Sequence, residues 1–72
     1  MNEKEIAKKL GQRIKQTRET AKLTQAELAE KIGLSTNFIG MVERGERNTK
    51  FSNVYKIVAA LNYTLENFFK DL

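Results

Sequence analysis

A single residue, Leu34, separates a helix-stop signal at Gly33 from a helix-start signal at Ser35. Upstream, Thr24-Gln25-Ala26-Glu27 forms a capping box: the Thr24 hydroxyl can accept from the Glu27 amide while the Glu27 carboxylate reaches back to the Thr24 amide. Leu23 and Leu28 have the spacing of a hydrophobic staple across that cap. The helix so started carries Leu28, Ala29 and Ile32 and must stop at Gly33, where a left-handed residue is needed. It is barely two turns long, too short to persist alone, so neighbouring elements must hold it. From Thr36 a further helix runs to about Arg44 and ends at Gly45, with Ile39 and Val42 turned inward. The centre of the chain is therefore two short capped helices on a tight glycine turn.

The flanking segments also read as helices. From about Asn2 to Lys22, Asn2 and Glu5 resemble a capping pair, and Ile6, Leu10 and Ile14 recur every four residues with Ala7 and Ala21 near that stripe. Gly11 weakens this helix by about 1 kcal/mol relative to Ala, and a close approach by another helix would explain it. After the polar stretch Glu46 to Lys50, a fourth helix carries Phe51, Val54, Ile57, Val58 and Leu61 on one amphipathic face and stops at Asn62. Thr64 caps a last short helix from Leu65 to Lys70. The expected fold class is all-α, a compact five-helix domain. With 72 residues there is room for one core, spanning 1–72.

Composition removes whole classes of chemistry. The chain has no Cys and no His, which excludes disulfides, Cys/His zinc sites, thiol nucleophiles and an imidazole base. Phosphate-cradling and dinucleotide glycine motifs are missing. The helical carboxylates Glu27 and Glu30 lie one turn apart on a short helix, where a solvated face is the simpler reading. No enzyme activity, cofactor, metal or small-molecule ligand is expected. The first residues have no apolar leader and no stretch approaches membrane-spanning length, so a cytoplasmic, nucleoid-associated protein is expected. Net charge is +4 with a pI near 9.6, which points to a polyanionic partner and to nucleic acid ahead of membrane. The excess is uneven: Met1 to Lys22 carries +4, Leu23 to Gly45 carries −1 and Glu46 to Leu72 carries +1. The charge thus supplies general attraction to a duplex and does not locate a reader.

Two capped helices on a Gly-containing turn, over 24–45, make a helix-turn-helix, whose second helix can enter a DNA major groove. A bare helical hairpin could give the same caps. The residues go further: Thr24 to Ser35, followed by Phe38-Ile39-Gly40-Met41-Val42-Glu43-Arg44-Gly45, resemble the phage-repressor-like helix-turn-helix family. Gly11-Gln12-Arg13-Ile14-Lys15 and Val58-Ala59-Ala60-Leu61-Asn62 are similar to its first and fourth helices. The resemblance implies a lambda-repressor-like DNA-binding fold in which Ala29, Gly33, Ile39 and Val42 are structural. It places Thr36, Asn37, Gly40 and Met41 at base-reading positions. Asn37 suits adenine N6/N7 and Met41 a thymine methyl, while Gly40 would permit close backbone approach. It implies phosphate contacts from Gln25, Ser35, Arg18, Arg44, Arg47, Asn48 and Lys50. Arg18 and Glu43 match a family ion pair linking the first and third helices, expected to be exposed and worth at most about 1 kcal/mol.

The last helix carries more apolar bulk than one terminal segment readily buries. Tyr63, Leu65, Phe68, Phe69 and Leu72, within 63–72, are therefore the expected homodimer interface, although Leu65 and Phe68 could instead complete the monomer core. A symmetric dimer also relieves the small-core problem. The expected function is a homodimeric, sequence-specific regulator of transcription on a pseudo-palindromic double-stranded DNA operator, with RNA polymerase as a further partner. A phage or chromosomal repressor and a restriction–modification controller both fit. The rival from another class is an antitoxin-like or adaptor module that keeps the fold without DNA binding. Acidic residues at positions 36, 37, 40 and 41 would favour that rival, and none is present.

Overall fold

In the computed structural model, which describes residues 1–46, 49–70 and 72, the order is α1 (Glu3–Thr20), α2 (Gln25–Ile32), α3 (Thr36–Glu43), α4 (Phe51–Ala60) and α5 (Leu65–Phe69), with no strand among the described residues. Side chains start four of the five helices: Asn2, Thr24, Ser35 and Thr64 each accept a backbone N–H three residues on, and Lys50 at the start of α4 does not. Both reciprocal caps are complete. Glu5 N–H donates to Asn2 Oδ1 at 2.9 Å, Glu27 N–H donates to Thr24 Oγ1 at 3.0 Å, and Thr24 N–H donates to Glu27 Oε1 at 2.8 Å.

The first four helices end alike. A left-handed residue follows each one, at Lys22 (φ 60°), Gly33 (72°), Gly45 (72°) and Asn62 (63°). The next amide then closes a wide turn onto the helix, with Leu23 N–H donating to Arg18 O and Leu34 N–H to Ala29 O, at 3.1 and 3.0 Å. Gly33 and Gly45 adopt this conformation without a Cβ penalty. Lys22 adopts it without that freedom, and α1 stops at Thr20, two residues short of the boundary that the sequence suggests.

The core consists of Ile14 from α1, Leu28 and Ala29 from α2, Ile39 and Val42 from α3, Val54, Ile57 and Val58 from α4, Leu61, and Phe68 from α5. The helix pair α2–α3 packs on α1 through α3 and on α4 through α2. Two expected core positions lie outside: Ile6 is 51% and Phe51 is 64% exposed. Periodicity identified their helix face, but each side chain stays more than half exposed on it. Gly11 does mark a helix crossing. An added Cβ would sit 2.4 Å from Val42 O and 2.5 Å from Glu43 O, so α1 lies against the backbone at the end of α3.

The Glu27 carboxyl is held below the usual range, first by the Thr24 backbone N–H and then by its hydroxyl. A depressed folded-state pKa gives a contribution present above the unfolded value, about 4.3, and lost as pH falls through the lower folded value. Glu27→Gln keeps a capping amide without the charge. Wild type should therefore melt above Glu27→Gln near neutral pH, and the gap should close in strong acid. A gap independent of pH would mean that the charge does not contribute to the cap.

Candidate nucleic-acid interface

The N-terminus of α2 and the outward side of α3 bring most of the expected contact residues together. Ser35 starts α3 by accepting the Phe38 N–H on its hydroxyl at 3.0 Å. Thr36 and Asn37 follow on the exposed first turn, and Met41, one turn further, is half-buried. The Asn37 amide lies along the helix, its Nδ2 donating to Met41 Sδ at 3.7 Å. Residues four apart share a helix face, so Thr36, Gly40 and Arg44 form the adjacent row.

Beneath these rows is a buried polar group. Arg18 Nε donates to Glu43 Oε2 at 2.7 Å and Arg18 Nη2 to Glu43 Oε1 at 3.1 Å. Arg18 Nη1 donates to the Leu23 carbonyl at 2.8 Å, and Gln25 Nε2 donates to Glu43 Oε1 at 3.0 Å. Side-chain exposure is 9% for Arg18 and 2% for Glu43. The hydrogen bonds that Arg18 donates to Glu43 keep its guanidinium above its already high value, against the opposing effect of burial. One acid on α3 thus ties α1, the α1–α2 turn and the start of α2 to the outward helix.

Burial differs from the sequence expectation at three places. The Arg18–Glu43 pair is buried, not exposed, and Nε, Nη1 and Nη2 of Arg18 all donate within the protein. Gly40 is buried, not an open approach point: a Cβ there would lie 3.0 Å from Arg44 Nη1 and 3.6 Å from Gln25 Oε1. Phe68 is fully buried in the monomer. Its ring meets Tyr63 and Phe69 edge-on, at centroid distances of 6.3 and 5.2 Å, so it has no surface to offer a partner chain.

The other expected contacts divide as follows. Gln25 is half-buried against Glu43, and Ser35, Arg44 and Lys50 are exposed. Arg47 and Asn48 lie outside the described residues. Of the expected dimer contacts, Tyr63 and half-buried Leu65 line a groove with Tyr55 and Val58. Phe69 and Leu72 line a separate one with Met1, Ile6, Lys9 and Leu10. Arg13, named from sequence only within the stretch similar to the family's first helix, donates to Phe68 O at 3.1 Å and to Asn67 O at 3.4 Å. It thereby satisfies carbonyls at the end of α5, an anchor that no local spacing announces.

Residues 14–68 match the helix-turn-helix family model. The chain belongs to this family. Both α2 and α3, joined through the Gly33 turn, lie within the matched residues. Control protein C.MunI of Mycoplasma sp is 34% identical over 69 residues, which cover 94% of this chain and 93% of that protein. The uncharacterized transcriptional regulator in the ATPase CF(0) region of Rhodospirillum rubrum is 40% identical over 63 residues; these cover 88% of this chain but 58% of that longer protein. The crystal structure of the restriction-modification controller protein C.AhdI from Aeromonas hydrophila superposes with a TM-score of 0.89 at 33% identity, over 96% of this chain and all of that one. All three relatives are regulators by name. Among the described residues, no helix is long and apolar enough to cross a membrane.

Proposed function

We propose that this chain is a sequence-specific double-stranded DNA-binding regulator of transcription, acting as a homodimer with α3 in the major groove of a pseudo-palindromic operator. The observation that carries the reading is the outward row of α3: Thr36 and Asn37 are exposed and uncharged, Met41 stands beside Asn37, and Gln25 and Arg44 flank them. Uncharged hydrogen-bonding side chains at the start of a recognition helix read base edges, while flanking amides and cations hold phosphates. Gln25, Ser35, Arg44 and Lys50 take the phosphate role, together with Arg47 and Asn48, which follow α3 in the sequence. Near-complete mutual coverage with a control protein, together with the likeness to a restriction-modification controller, favours the controller sub-role over a phage repressor.

Residues 63–72 supply the dimer contact, through exposed Tyr63, Phe69 and Leu72. Two recognition helices then fall about 34 Å apart, one duplex turn. A duplex-DNA partner places the protein in the cytoplasm with the nucleoid, and RNA polymerase is the natural partner at a promoter overlapping the operator. The chain has no role here as an enzyme and takes no cofactor.

Selection of bound duplexes from a random pool tests the reading. Two inverted half-sites centred about one turn apart are expected; no enrichment would favour the adaptor reading, and a single half-site would remove the dimer. On the selected site, Asn37→Ala should cost about 1–3 kcal/mol and relax preference at one base pair. Uniform weakening on every sequence would show that Asn37 is not a reader.

A further inference from the structure

Arg44 is already engaged in the free protein. Its Nε donates to Glu46 Oε2 at 2.8 Å and its Nη2 donates to Glu46 Oε1 at 3.2 Å. This is a two-pronged pair between side chains that are 55% and 54% exposed. The Nε–Nη2 edge of a guanidinium is also an edge that takes a phosphate with two parallel hydrogen bonds. The remaining nitrogen, Nη1, lies over Gly40, where a Cβ would approach it to 3.0 Å and Gln25 Oε1 to 3.6 Å. Gly40 is thus a notch in α3 that lets the guanidinium fold back along the helix, the direction long helical side chains favour.

We propose that Glu46 is a positioning residue that competes with nucleic-acid phosphate for Arg44. In the free protein the carboxylate holds the guanidinium back over the Gly40 notch. On duplex binding a phosphate replaces the carboxylate at the Nε–Nη2 edge, and Glu46 is left to solvent and cations. The inference rests on the duplex-binding reading above and names the device that tunes its strength. The pair is exposed, so the exchange is available at small cost, and solvated Glu46 takes up a cation as the phosphate gives one up. Glu46 therefore lowers both the affinity and its salt dependence.

Four proteins test this on one selected duplex across a salt series: wild type, Glu46→Gln, Arg44→Ala and the double variant. Glu46→Gln should bind about two- to five-fold more tightly, as expected for release from an exposed ion pair. Its slope of log affinity against log salt should steepen by up to about one. In the Arg44→Ala background the same substitution should lose most of that gain. Glu3, Lys4 and Lys8 line the same groove as Arg44 and Glu46, so simple removal of a negative charge there would act in both backgrounds. Equal gains in the two backgrounds overturn the proposal, as does no gain in the wild-type background while duplex binding is intact. Failure of the wild-type chain to bind any duplex overturns this proposal together with the reading beneath it.

Discussion

Arg18→Met should destabilise the protein by about 3–5 kcal/mol, the loss that follows when one partner of a buried ion pair is removed. The cause is what the substitution leaves behind. Glu43, with a side chain 2% exposed, would keep only the Gln25 amide, at 3.0 Å, to balance its carboxylate. The Leu23 carbonyl, which accepts from Arg18 at 2.8 Å, would lose its donor at the turn into α2. A small domain has a total stability of about 5–15 kcal/mol, so urea unfolding followed by circular dichroism should show a large shift of the midpoint. The double variant Arg18→Met/Glu43→Leu should recover most of the loss, because no unmatched charge remains. A loss of 1 kcal/mol or less for Arg18→Met would show that the pair behaves as an exposed one. Failure of the double variant to recover would mean that the guanidinium acts mainly through Leu23 and the turn.

That contrast also shows what the amino-acid sequence discloses. A cap is a contact between residues three apart, so Asn2, Thr24, Ser35 and Thr64 could be read directly, and so could the left-handed stops at Gly33, Gly45 and Asn62. Lys22 could not, since its side chain has no special affinity for that conformation and only the Leu23 amide turning back to Arg18 reveals the stop. Periodicity told which residues share a helix face but not which helix covers that face, and so Ile6 and Phe51 read as core. The alignment of Arg18 with Glu43 was legible through family likeness. Its burial was not, because it depends on how closely α1 crosses α3, and these residues lie 25 apart in the chain. The outward row of α3 was correctly placed on one helix. The change of Gly40 from open approach point to notch needed the position of the Arg44 guanidinium, which the bond to Glu46 fixes.

The crossing itself predicts opposite outcomes at two helical glycines. Intrinsic propensity favours Ala over Gly in a helix interior by about 1 kcal/mol, so Gly11→Ala and Gly40→Ala would both stabilise an isolated helix. At position 11 the new methyl would lie 2.4 Å from Val42 O, 2.5 Å from Glu43 O and 2.8 Å from Glu43 C. These are backbone atoms at the end of α3, and no rotamer change relieves the clash. α1 must move off α3 and carry Arg18 away from Glu43. Overpacking of this kind costs about 1–3 kcal/mol and occasionally more, and the weakened buried pair adds to it. Overpacking less the propensity gain leaves a loss of about 0–2 kcal/mol, and disrupting the buried pair, worth about 3–5 kcal/mol when broken outright, takes the expected net loss at position 11 to about 2 kcal/mol or more. At position 40 the nearest atom is the end of the Arg44 side chain, at 3.0 Å, which can swing aside. Gly40→Ala should therefore raise stability by about 0.5–1 kcal/mol while displacing Arg44 from its notch. Thermal melts of the two variants beside wild type decide the matter. If both move upward together, α1 does not press on α3 at Gly11; if both fall, the space over Gly40 is not open to a methyl and Arg44 is held there more firmly than an exposed ion pair would hold it.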